Sequence, residues 1–89
     1  MKFKKDYGVY CCKHVFENSR PCLFTVRDFD GSWQFLCGDA TCPKSGPPKL
    51  IGVGHLIDND SAIDKLAILN NGTCAERKNK KSNWKISDL

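Results

Sequence analysis

The sequence predicts an α+β fold, a twisted and mainly antiparallel sheet of four to six strands with one helix packed on one face. Two observations carry this. An Asp30-Gly31 turn stands between two strand-like runs, and a single apolar stripe at helical spacing follows them. With 89 residues the chain makes one domain, 1–89, with the ends 1–7 and 87–89 expected to be flexible. A composition of 40% hydrophobic and 27% charged residues is that of an ordinary globular domain.

The hairpin is the clearest element. Residues 23–29 and 32–37 alternate apolar and polar side chains on either side of Asp30-Gly31, a pair that suits a two-residue turn with positive φ. Such a turn pairs Phe29 with Ser32, Asp28 with Trp33, Val26 with Phe35 and Phe24 with Cys37. Phe24, Val26, Trp33, Phe35 and Cys37 then share one face. Upstream, residues 9–16 read as a strand with Tyr10, Cys12, His14 and Phe16 on one side, and 17–21 as a turn, since Pro21 cannot continue a central strand. Downstream, 38–48 is rich in Gly, Pro, Ser and Lys and reads as a surface loop.

A short strand over 49–55 is loosened by Gly52 and Gly54. The helix begins at Asp60 or Ser61, which can cap it, with Asp64 early enough to favour the positive end of the dipole. Ala62, Ile63, Leu66, Ala67 and Leu69 form its stripe, and Asn70-Asn71-Gly72 ends it with a left-handed residue. Residues 73–78 and 83–86 read as two final strands. The predicted core is Phe24, Val26, Trp33, Phe35, Leu50, Ile51, Ile63, Leu66 and Leu69.

The residues exclude several function classes. No apolar run approaches the roughly 18 residues of a bilayer span, so no membrane role is expected. The basic start has no apolar stretch behind it, which points to the cytoplasm rather than secretion. Gly52-Val53-Gly54 lacks the third glycine and the βαβ context of a dinucleotide fingerprint, so no cofactor-binding residues are assigned. Asp28, Asp30, Asp58, Asp60 and Asp64 are explained by turns, caps and solvated faces, and no catalytic set is assigned.

Six cysteines, at 11, 12, 22, 37, 42 and 74, are read for a reducing compartment as core thiols or metal ligands. Cys12 and His14, two apart on a strand, leave the same face; Cys37 ends the hairpin on its core side, and Cys42 follows it by five residues. Together they are the candidate ligands of a tetrahedral zinc site, although Cys-x-His and Cys-x4-Cys differ from the usual paired knuckles. The competing reading makes them core thiols and a packed histidine. A Cys–His nucleophile is a further alternative, with His14 and His55 the available bases. Net charge is +4, and one basic run stands out: Arg77, Lys78, Lys80, Lys81 and Lys85, interleaved with Trp84. It is a candidate contact for nucleic acid or for an acidic protein partner.

Cys12-Lys13-His14-Val15-Phe16, the segment Asp30-Gly31-Ser32-Trp33-Gln34-Phe35-Leu36-Cys37-Gly38-Asp39, Gly54-His55-Leu56 leading into Asp60, Ala75-Glu76-Arg77 and Trp84 together resemble a family of short bacterial proteins of uncharacterised function. Through the Trp-containing hairpin and the Asp-started helix the chain more distantly resembles proposed immunity proteins of bacterial toxin systems. The resemblance implies a bacterial cytoplasmic protein that binds a protein partner rather than catalysing, with no established cofactor. Cys12, His14 and Cys37 match the family's pattern. Cys42 stands where the family places other residues, which leaves the fourth ligand open. The expected function is therefore a non-enzymatic protein-binding module; the alternatives are a nucleic-acid binder or a small zinc-stabilised regulatory domain.

Overall fold

A computed structural model describes residues 3–38 and 48–89. The 39–47 part of the expected surface loop, with Cys42, lies outside the described residues. Six strands form one sheet: β1 (Gly8–Cys11), β2 (Phe24–Arg27), β3 (Trp33–Leu36), β4 (Lys49–Gly52), β5 (Thr73–Glu76) and β6 (Lys85–Asp88). Their spatial order is β4-β1-β3-β2-β5-β6. The sheet is mixed, because β1 and β3 run parallel while all other neighbours are antiparallel. The cause is the hairpin: β3 folds back from β2 and inserts between β2 and β1, so it lies beside a strand of its own direction.

The hairpin is offset by one residue from the expected pairing. Thr25 faces Phe35, Val26 faces Gln34 and Arg27 faces Trp33. The loop contains Phe29, Asp30 and Gly31: Gly31 N–H donates to Asp28 O (2.9 Å), Asp28 N–H donates to Ser32 O (2.8 Å), and Gly31 has φ +89°. This is a type I turn closed by a left-handed glycine, the usual three-residue hairpin. Asp30 Oδ1 accepts from Ser32 N–H at 2.9 Å and holds the turn, and that bond lowers the Asp30 pKa.

A one-residue offset moves one strand's side chains to the other face. Trp33, Phe35 and Cys37 remain buried, but Phe24 and Val26 are only half-buried, and Thr25 takes the core position opposite Phe35. The Trp33 and Phe35 rings stack at 5.8 Å with 5° between planes, and Phe3 meets Trp33 edge-on at 5.0 Å. Phe3, expected in a flexible end, is thus part of the core, and its N–H donates to Asp64 Oδ1 (3.1 Å). Leu50, expected inside, is 67% exposed, since in its antiparallel pairing with β1 it stands opposite Tyr10, away from the buried Val9.

Among the described residues, three helical segments stand where one helix was expected: α1 (Lys13–Phe16), α2 (Val53–Asn59) and a 3-10 helix (Ser61–Ile68). The 3-10 helix is the predicted one. Asp60 caps it by accepting from Ala62 N–H at 3.2 Å, and Gly72 carries the positive φ (+77°) beyond its end. Its buried residues Ile63 and Leu66, continued by Leu69, recur every third position, and that spacing stacks on one side of a 3-10 turn. The buried side chains of α1, α2 and the 3-10 helix join Val9, Cys11, Trp33, Phe35 and Ala75 in one core.

The strand expected over 49–55 stops at Gly52, and Val53 and Gly54 open α2. Two of the helix's first amides, which have no partner within the helix, donate outward: Val53 N–H to Tyr7 O and Gly54 N–H to Lys5 O, each at 2.9 Å. A Cβ at Gly54 would lie 2.8 Å from Lys5 O. Gly54→Ala is therefore expected to destabilise the domain by about 1–3 kcal/mol, although Gly→Ala in an open helix stabilises. Urea denaturation checks the sign; a gain in stability would show that residue 5 does not press on α2.

Candidate metal centre

Cys12, His14 and Cys37 come together, though not by the route their spacing suggested. Residues 9–16 do not form one strand. β1 stops at Cys11, Cys12 N–H donates to Phe35 O (3.2 Å), and the chain turns into α1. Cys12 sits at the N-cap of α1 with extended φ and ψ, and its thiol makes no capping bond. One helical turn is closed by a left-handed Asn18 (φ 56°), with Asn18 N–H donating to Val15 O (3.1 Å) and Ser19 N–H to His14 O (2.9 Å). This paired closure is a Schellman motif, and asparagine tolerates its left-handed position. It fixes the backbone of His14.

Cys37 follows β3 on the same side as Phe35, buried, while His14 is half-buried. His14 Nδ1 and Cys37 Sγ lie 3.7 Å apart, and the ligand atoms of Cys12, His14 and Cys37 all lie within 4.8 Å of one another. A tetrahedral zinc with bonds of about 2.3 Å to sulfur and 2.0–2.1 Å to nitrogen places such atoms about 3.5–3.8 Å apart. The His–Cys separation already meets that, and a contraction of about 1 Å at most brings in the rest. The donor set is two thiols and an imidazole, the ligands zinc prefers. Among the described residues this is the one group with such geometry. No protein-family model, curated protein or solved structure matches the chain.

The other described cysteines are buried free thiols. Burial pushes Cys11 from 9.0 to about 11, with the neighbouring Cys12 adding to the effect. Burial also pushes Cys22 from 9.0 to about 11, against the opposing hydrogen bond of Thr25 and the charge of Arg77. Cys22 Sγ and the fully buried Thr25 Oγ1 are 3.4 Å apart, so each supplies the other's polar partner. His55 is exposed on α2, with Lys5, Asp6 and Asp58 lining the same shallow surface.

The basic run does not act as one surface. Arg77 is buried. Its Nε and Nη2 donate to Cys22 O (3.0 and 2.8 Å), its Nη1 donates to Lys80 O (3.1 Å), and its Nη2 also pairs with Asp60 Oδ2. Trp84 covers the guanidinium with its ring centroid 4.2 Å away, and donates its own N–H to Ala62 O at 3.1 Å. Lys85 pairs across the sheet with Glu76 on the other face from Ile86. Lys78, Lys80 and Lys81 are exposed.

Two outcomes follow. Arg77→Ala leaves Asp60 and the Cys22 carbonyl without their donor and is expected to cost about 3–5 kcal/mol, while Lys78→Ala stays within about 0.5 kcal/mol; thermal denaturation compares them. The raised thiol pKa values work in a stated direction. A neutral thiol is favoured by the fold, so its contribution is complete below pH 9.0 and is lost as pH rises through about 11. Urea midpoints should fall across that window, and a Cys11→Ala, Cys22→Ala double variant should fall less steeply.

Proposed function

We propose that the chain is a small protein-binding module whose fold is braced by one zinc ion held by Cys12 Sγ, His14 Nδ1 and Cys37 Sγ. The observation that carries the metal assignment is the closeness of those three ligand atoms, all within 4.8 Å. Coordination through Nδ1 leaves the His14 Nε2–H as a donor. Cys42 is the proposed fourth ligand. The ion would tie β1 and α1 to the end of β3, and in a domain this small its binding free energy becomes folding free energy. The binding role is supported by the resemblance of the motif residues and by a six-stranded scaffold whose 3-10 helix is capped by Asp60. No membrane role is proposed: among the described residues no helix is long and apolar enough to cross a bilayer.

A second reading has its own observation. The 3.7 Å contact between Cys37 Sγ and His14 Nδ1 is also the start of a thiolate–imidazole nucleophile. The second thiol in the cluster, Cys12, favours the metal, because a nucleophile needs one sulfur and a closed zinc site needs several.

Protein purified without chelator is expected to contain close to one zinc per chain, falling to near zero in Cys12→Ser and Cys37→Ser. Chelation should lower stability by about 2–4 kcal/mol, and acidification should release the ion as the thiolates protonate. Metal-free protein whose Cys37 is alkylated rapidly by iodoacetamide in the folded state would replace the zinc reading with the nucleophile. For the binding role, the immobilised 89-residue chain should retain one protein in stoichiometric amount that rebinds after purification; retention of none defeats it.

A further inference from the structure

A groove of about 420 Å³ lies between the 3-10 helix and the segment leading into β6. Its floor includes Leu66, Ile68, Trp84 and Ile86, and its rim carries Lys65, Lys80 and Lys81; no acidic residue lines it. Ile68 is 64% exposed and Ile86 49% exposed, although Ile86 is on the side of the sheet that bears the core residue Ala75. Ile86 thus lies on the core side of an edge strand yet stays open to water. Among the described residues no carboxylate pairs with any of the rim lysines, the one ion pair being Arg77 with Asp60.

We infer that this groove binds an acidic protein segment carrying a branched aliphatic or aromatic anchor, an inference that rests on the protein-binding reading above. The anchor would sit between Ile68 and Ile86, removing both from water, and flanking carboxylates would meet Lys65, Lys80 and Lys81. Charge decides the class of occupant. A second copy of this chain carries net charge +4 and brings like charge to a basic rim. A single-stranded nucleic acid would add base stacking on an aromatic face to its phosphate contacts. The half-buried Trp84 ring already carries Arg77 on one face, its N–H is bonded to Ala62 O, and the most exposed floor residues, Ile68 and Ile86, are aliphatic. An aliphatic floor with an unpaired cationic rim fits a peptide with hydrophobic and acidic side chains.

The test titrates the isotope-labelled 89-residue chain, as purified without chelator, with a short synthetic peptide in which glutamates flank a Leu-Phe anchor. Controls are the same peptide with lysine for glutamate, and oligo(dT). The expected result is amide shifts confined to Lys65, Ile68 and residues 80–86, with binding weakened about tenfold by a few hundred millimolar salt. The Lys80→Glu, Lys81→Glu double variant should lose binding about tenfold or more at an unchanged melting temperature, since both side chains are exposed. Equal binding of the lysine peptide, shifts elsewhere, no binding, or tighter binding of oligo(dT) each overturns the proposal. If the protein retained from lysate binds the double variant as well as the wild type, the groove assignment fails while the binding role stands. Absence of any retained protein defeats the role itself.

Discussion

The Arg77 guanidinium is the constraint around which the rest of this domain is arranged. A buried cation in a small domain is tolerated only when its N–H groups are satisfied and its charge is countered. Here the partners come from four places in the chain: the Cys22 carbonyl before β2, the Asp60 carboxylate between α2 and the 3-10 helix, the Lys80 carbonyl in the turn after β5, and the Trp84 ring before β6. Asp60 serves twice, with Oδ1 capping the 3-10 helix and Oδ2 pairing with Arg77. Removing the charge therefore also disturbs the helix start, and the two halves of the sequence are locked through one side chain. Arg is suited to this because its fixed planar fork can reach several acceptors while its face stacks on an aromatic ring.

How much of this was legible in the residues depends on what each signal measures. Alternation placed Trp33, Phe35 and Cys37 on one buried face, and the core shows them there. The same alternation could not fix their partner strand, because Asp-Gly serves both a two-residue turn and the last two positions of a three-residue loop. The difference exchanges Phe24 and Val26 for Thr25. Thr25 looks wrong for a core position until the Cys22 thiol is seen beside its hydroxyl. The helix from Ser61 was legible from its cap and stripe, and the three-residue recurrence of Ile63, Leu66 and Leu69 held the information that it is a 3-10 helix. α1 was not legible, since four residues are too few to show a period; the available signal was Asn18, an asparagine suited to the left-handed end of a helix.

The closeness of Cys12, His14 and Cys37 was anticipated from a backbone that the chain does not adopt. An extended 9–16 strand would have aimed Cys12 and His14 the same way by alternation. What brings them together instead is a tight turn at the N-cap followed by a single helical turn whose closure holds the His14 carbonyl. Residue type was the stronger signal, because Cys and His near the end of a hairpin retain their chemistry whichever local geometry carries them. The basic run shows the opposite case, a group that the fold divides. Its five residues were grouped by proximity in sequence, and the fold separates them: Arg77 goes inside, Lys85 to one sheet face, and Lys80 and Lys81 to the rim that Lys65 completes.

The metal cluster and the Arg77 cluster act on the same stretch of chain. Residues 12–22 connect β1 to β2 with one helical turn and a proline-containing bend, and only Cys12, Val15 and Cys22 within it are buried. Three buried residues offer limited apolar area to hold such a connection in place. Its start is fixed where Cys12 and His14 meet Cys37, and its end where the Cys22 carbonyl accepts two bonds from Arg77. Between those anchors, Val15, Pro21 and Cys22 close over Leu56, Asp60 and Ile63 with a cavity of only about 20 Å³. At its start this segment brings Cys12 and His14 beside Cys37, and at its end it gives Arg77 a backbone acceptor. In a domain of 89 residues, where apolar area is limited, the buried and fully partnered Arg77 fastens the end of this connection that few apolar contacts hold.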